Sequence, residues 1–302
     1  MMDKTLHQDS ASAAWLGRFC FLQQGDIAMT NPLIQKSEFH CVRGGLTIRG
    51  TCFRPEGQNL PIAIVSHGFM ATQATTKHYA RQLAAWGYCA YCFDFNGGGV
   101  GSKSDGRTVD MTVLTEVEDL KAVIAYACTR PGCDPARLTL VGCSQGGFVS
   151  ALCAAELGVR VESLVLFYPA LCIPDDARLG KMMLCHFDPA DIPAEMRCGP
   201  MRLGREYAAT AQKMDPFAAI APYSGRVLIL HGLEDKIVAP AYARQAWQAY
   251  EDACSGRCEL IFLQGAGHGF SRRYDRQALP LVQRFLMPGK PITVDLSAAG
   301  LA

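Results

Sequence analysis

Short apolar runs alternate with stretches of helical spacing along most of this chain, and that alternation restricts the fold more than any other feature. Residues 61–66 (PIAIVS) are almost continuously apolar, as a strand buried on both faces of a sheet must be. Residues 76–86 place Tyr79, Leu83 and Trp86 on one helical face, and Gly87 stops that helix. Residues 88–95 read as the next strand. Residues 112–129 read as a long helix with Glu116, Glu118 and Asp119 toward its start, where the helix dipole favours acid. The rhythm continues with strands expected at 137–142, 161–168, 226–230 and 259–263, and helices at 145–157, 240–252 and 275–287. Residues 38–53 read as two strands joined at Arg43-Gly44-Gly45. The class implied is α/β: a mostly parallel central sheet flanked by helices, with right-handed crossovers.

Residues 171–222 break the rhythm. They show no clear strand and hold Pro174, Pro189, Pro193, Pro200, Pro216 and Pro222, together with Met182, Met183, Met196, Met201 and Met214. The stretch is too long for a bare loop and reads as a helical lid inserted over a site. Its methionines suit an irregular apolar pocket; equally, they suit plain packing of a small lid on the core. The chain is therefore read as a single domain over 1–302, with a core of 38–170 and 223–287, a lid of 171–222, and loose tails of 1–35 and 288–302. One domain suffices, because a chain of this length buries roughly 75% of its unfolded surface.

Composition narrows the function classes. Lys plus Arg is 29 and Asp plus Glu is 28, for a formal net charge of +1, which argues against a protein that binds nucleic acid by neutralising phosphates. Hydrophobic residues make up 49% of the chain, too many for a disordered one. No run of 18 uncharged apolar residues suggests a spanning helix. The 14 cysteines are scattered through expected strands and helices, among them Cys89, Cys92, Cys143 and Cys153, and read as small buried hydrophobes in a reducing compartment. Cys254 and Cys258 lack the spacing and the neighbouring histidines of a zinc site. Residues 11–22 are mildly apolar but interrupted by Arg18, which is not the pattern of a secretion signal. A cytoplasmic location is expected, with Met29 as an alternative start.

Chemistry concentrates at Gly142-Cys143-Ser144-Gln145-Gly146. This G-x-S-x-G run lies between an expected strand (LTLV) and an expected helix. A sharp strand-to-helix turn needs small neighbours and exposes the serine hydroxyl at the carboxyl end of the sheet. Such a serine needs a base, and the base an orienting acid. Asp235 in His231-Gly232-Leu233-Glu234-Asp235 and His268 in Gly265-Ala266-Gly267-His268-Gly269 each follow an expected strand, where α/β sites assemble. Asp235 is taken as the acid and His268 as the base, with Glu234 the neighbouring rival. The main-chain N–H groups of Phe69 and Gln145 are taken as the oxyanion donors. His67 and His231 read as loop braces, and His7, His40, His78 and His186 as surface or packing residues.

These motifs resemble the α/β-hydrolase superfamily over about residues 38–287. His67-Gly68-Phe69, the run from Phe93 to Gly99, Ser102-Lys103-Ser104-Asp105-Gly106 and the Gly142–Gly147 run are similar, more narrowly, to bacterial cinnamoyl (feruloyl) esterases. That resemblance implies cleavage of hydroxycinnamoyl esters, with the acyl group held partly by a lid. It also implies that Asp176 and Tyr207 contact the phenolic end of the substrate; solvated lid residues are the other reading of that pair.

The function expected is a serine carboxylesterase working through an acyl-enzyme. A serine peptidase, a thioesterase or acyltransferase, and a non-catalytic binding module are the alternatives. A small-molecule ester is the expected partner. No nucleic acid, membrane, metal or organic cofactor is expected, and a homodimer is left open.

Overall fold

The computed structural model describes residues 33–293. Residues 1–32, which include 11–22 and Met29, and residues 294–302 lie outside the described residues. The first hairpin pairs β1 (Ile34–Arg43) with β2 (Leu46–Pro55). Its turn, Gly44-Gly45, takes φ of +55° and +82°, a left-handed conformation that glycine adopts without strain. The chain continues through β3 (Leu60–Ser66), α1 (Lys77–Ala85), β4 (Cys89–Phe93), α2 (Val113–Cys128), β5 (Cys133–Cys143), α3 (Gln145–Leu157) and β6 (Ser163–Phe167). The insertion follows, with α4 (Ile173–Arg178), β7 (Lys181–Met182), β8 (Cys185–His186), β9 (Glu195–Cys198), β10 (Met201–Gly204), α5 (Arg205–Gln212) and α6 (Pro216–Ile220). The core resumes with β11 (Arg226–Gly232), α7 (Pro240–Ala253), β12 (Cys258–Leu263) and α8 (Arg272–Leu286).

Eight strands form one sheet in the order β1-β2-β4-β3-β5-β6-β11-β12. β4, β3, β5, β6, β11 and β12 run parallel, and β1 and β2 extend one edge through antiparallel pairs. Alternation along β3 shows how the two faces are filled. Ile62 and Ile64 pack with Leu120, Val123 and Phe148 of α2 and α3. Ala63 and Val65 pack with Tyr79 and Leu83 of α1 and Leu279 and Val282 of α8. Burying one such aliphatic side chain contributes roughly 1.5–3 kcal/mol.

Register fixes where the loops gather. Ser66 pairs with Gly142, Cys143 with Phe167, Leu230 with Phe167, and Gly232 with Leu263. The carboxyl ends of five strands are thus level, and the segments leaving them share one rim of the sheet.

The lid differs in part from its expected helical build. It has three helices, but also two antiparallel hairpins, β7–β8 and β9–β10. The longer one turns at Gly199-Pro200, with Gly199 at φ +56°. Strands of two to four residues are too short for alternation to stand out, yet Met196, Cys198, Met201 and Leu203 do alternate with polar residues and are buried. Residues 288–293, within the expected loose tail, make hydrogen bonds to the core. Trp86 Nε1 donates to the Thr293 carbonyl at 2.7 Å, and Gln283 Nε2 donates to the Pro291 carbonyl at 3.1 Å. Those polar groups tie the segment back onto α1 and α8. The described cysteines are free thiols, most of them buried. No described helix is long and apolar enough to cross a membrane.

Candidate active site

β5 ends at Cys143 and α3 begins at Gln145, so Ser144 alone turns the chain, at φ +54° and ψ −120°. A non-glycine residue held there stores on the order of 1–3 kcal/mol of strain, which only a closely packed surrounding sustains. A Cβ on Gly142 would lie 2.3 Å from the Gly146 carbonyl oxygen, and one on Gly146 would lie 2.2 Å from that of His67. Both glycines are therefore required by the closeness of the turn to its neighbours.

The loop after β12 carries His268 to this turn. Its Nε2 lies 2.9 Å from Ser144 Oγ, and its Nδ1 lies 2.8 Å from Asp235 Oδ2. Asp235 Oδ1 accepts the main-chain N–H groups of Ile237 and Val238, both at 2.9 Å. His231 Nε2 lies 2.9 Å from the Val238 carbonyl and 3.3 Å from Asp235 Oδ2. Burial alone would push the Asp235 carboxyl up. Hydrogen bonds from His231, His268 and Val238 outweigh it and hold the group well below the usual carboxylate range. An imidazole with a carboxylate on Nδ1 is fixed with its Nε2 lone pair toward the serine, ready to take the hydroxyl proton. Glu234, the rival acid, is exposed.

The loop after β3 packs against the same serine. A Cβ on Gly68 would lie 3.0 Å from Ser144 Cβ. His67 braces that loop: its Nε2 accepts the Phe95 N–H at 3.2 Å, so Nδ1 carries the proton donated to the Gly68 carbonyl at 2.8 Å. Burial lowers its pKa, which keeps this tautomer neutral. Phe69 follows within the loop, and Gln145 is the first residue of α3, where main-chain N–H groups point outward. His40 and His186 are exposed, and His78 sits 3.3 Å from Asp275. His7 lies outside the described residues.

A cavity of about 40 Å³ opens beside Ser144, lined by Phe69, Gln145, Asp176, Met182, Met183 and Tyr207 among others. Asp176 is half-buried, and burial raises its pKa. Tyr207 is buried and donates its hydroxyl to Gln145 Oε1 at 2.5 Å. Of the lid methionines, Met182 and Met183 line the cavity, and Met182, Met196 and Met201 are buried in the hydrophobic core. A larger cavity of about 520 Å³ lies between α2, α3 and β5, with Lys121, Cys128, Glu156 and Arg160 in its wall. It contains no serine–histidine pair, so size does not locate the chemistry. Among the described residues, no three His, Cys, Asp or Glu side chains converge as a metal site.

Three neighbours escaped the sequence reading. His231 reaches the carboxylate of Asp235 as well as bracing its loop. Tyr168, at φ +38°, sets its ring 4.9 Å from the His268 imidazole in an edge-on contact. Glu116 accepts Gln145 Nε2 at 2.8 Å. The i, i+4 spacing of His231 and Asp235 was a usable signal for the first; nothing in the sequence marks the other two.

A family profile described as serine aminopeptidase, S33, matches residues 58–189, a span that includes Ser144 and stops short of Asp235 and His268. No curated protein sequence matches the chain. Among solved structures, Est1E from Butyrivibrio proteoclasticus with ferulic acid bound is similar at 25% identity, with a TM-score of 0.73 over 82% of this chain and 96% of that one. An acetyl xylan esterase from Paenibacillus sp. R4 is 17% identical, with a TM-score of 0.61 over 87% of each chain. The esterase Pf2001 from Pyrococcus furiosus is 16% identical, with a TM-score of 0.61 over 84% of this chain and 93% of that one. In sheet order, in the strand–serine–helix turn and in these likenesses, the chain has the α/β-hydrolase fold.

Proposed function

We propose that this protein is a serine esterase that cleaves small carboxylic esters, hydroxycinnamoyl (feruloyl-type) esters among them, through an acyl-enzyme on Ser144. The observation that carries the reading is the unbroken line Ser144–His268–Asp235, at 2.9 and 2.8 Å. Ser144 Oγ attacks the ester carbonyl carbon as its proton passes to His268 Nε2, and the carbonyl π pair moves onto oxygen. The N–H groups of Phe69 and Gln145 receive that oxyanion; one such donor is worth ~3 kcal/mol in the transition state. The tetrahedral adduct collapses, the C–O bond to the alcohol breaks, and His268 returns its proton to the leaving alkoxide. Water then repeats the cycle on the acyl-enzyme, releasing acid and free Ser144. Asp235 keeps its charge throughout and stabilises the imidazolium.

The acyl preference rests on the likeness to Est1E, whose structure holds ferulic acid, and on the placement of Asp176 and Tyr207 in the cavity wall. A cavity that accepts a benzene ring measures about 150 Å³, well above the 40 Å³ here. An aromatic acyl group would therefore need side chains of this wall to shift. The profile matched over 58–189 bears the name of an aminopeptidase, which makes peptide-like amides the proper control. Purified protein assayed on methyl ferulate, short aliphatic esters and aminoacyl p-nitroanilides should hydrolyse esters, with methyl ferulate preferred. Anilide cleavage without ester turnover would reverse the assignment to a peptidase, and an aliphatic preference would remove the feruloyl part alone.

A further inference from the structure

Two buried acids lie on α2, and they are held differently. Asp119 is well matched: Arg43 Nε lies at 2.7 Å, and Asn96 donates its main-chain N–H at 2.8 Å and its side-chain amide at 2.9 Å. For Glu116, the partner among the described residues is Gln145 Nε2 at 2.8 Å. Burial pushes the Glu116 carboxyl well above the usual range, against the pull of that bond. Gln145 in turn accepts the Tyr207 hydroxyl at 2.5 Å, and the Tyr207 ring lies 5.9 Å from that of Phe69. The relay spans α2, the serine turn and lid helix α5.

We propose that Glu116 is a positioning residue that sets the acyl wall of the cavity, by fixing the Gln145 side chain that holds the Tyr207 ring beside Phe69. The inference rests on the esterase reading above and deepens it. The main chain at the turn is secured independently, because the N–H groups of Gly147, Phe148 and Ala170 all donate to the Ser144 carbonyl, at 2.9, 3.2 and 2.9 Å. Loss of the relay therefore loosens the wall that an acyl group touches and leaves the Gln145 N–H in place. On this proposal a long aromatic acyl group depends on that wall more than an acetyl group does.

Kinetics on p-nitrophenyl ferulate and p-nitrophenyl acetate, which share a leaving group, test this. Glu116→Leu should lower kcat/KM for the ferulate about tenfold and leave the acetate within about twofold, the scale of a small misplacement of a positioning group. Glu116→Gln, whose Oε1 can accept the same hydrogen bond, should restore the ferulate to within about threefold of the parent. Tyr207→Phe removes the bond at the other end and should shift selectivity the same way, and adding Glu116→Leu to it should cost little more. Equal losses on both esters, a Gln variant as damaged as the Leu variant, or additive losses in the double variant would overturn the inference. If Glu116→Leu fails to fold, the nearly isosteric Glu116→Met read on the same two esters decides, and an equal loss on both again overturns it. A parent that hydrolyses neither ester would instead overturn the esterase reading, and the inference with it.

Discussion

Ser144 is flanked by two buried carboxyl groups that behave oppositely. On one side Asp235 is met by His268, His231 and the N–H groups of Ile237 and Val238. On the other, Glu116 is met by the side-chain amide of Gln145. Both groups are removed from water, which penalises charge. The number of donors decides the outcome: Asp235 is held well below the carboxylate range and Glu116 well above it. Asp235 is thereby suited to face an imidazolium, and Glu116 to hold a neutral amide in place.

The largest effects should fall on the charged side. His268→Ala should reduce kcat/KM for a preferred ester on the order of 10⁶-fold, and Asp235→Asn on the order of 10⁴-fold with KM little changed. Steady-state kinetics on folded variants check both. A loss from Asp235→Asn no greater than that from Glu116→Gln would break the contrast.

The pH dependence of stability should separate the same two groups. Asp235 has a folded pKa below its unfolded one. Its contribution is present above the unfolded carboxylate range, near 3.9, and is lost as pH falls toward the folded value. Asp235→Asn should therefore cost more stability at pH 7 than at pH 3, as read by urea unfolding. Glu116 has a folded pKa above its unfolded one. Above about pH 4.5 the unfolded chain gains by ionising, and the folded state is penalised. Glu116→Gln should accordingly raise Tm by on the order of 2 °C at pH 8 and by nothing at pH 4. A gain of the same size at both pH values would show that Glu116 is charged in the fold.

The two sides also differ in how far the sequence reveals them. Ser144, Asp235 and His268 were legible because each follows an apolar strand in a glycine-flanked or turn-rich loop, and a parallel sheet brings such loops to one rim. The core strands and helices were legible for the same periodic reason. Glu116 was visible only as an acid near the start of a helix, a place that solvent-facing acids also favour. Its burial depends on how α2 lies against the serine turn, a tertiary fact with no local signature. Tyr168 is similar, since its edge-on contact with His268 joins residues 100 positions apart. The lid hairpins were hidden by brevity, although Gly199-Pro200 between alternating Met196, Cys198, Met201 and Leu203 carried a readable turn.

The proposed chemistry makes Ser144 a nucleophile activated by His268. Intact-mass measurement after exposure to a fluorophosphonate tests it most directly. A single adduct is predicted, mapping to Ser144, absent from Ser144→Ala and formed far more slowly in His268→Ala. Folded protein that stays unmodified, or that reacts as quickly without the His268 imidazole as with it, would contradict the account.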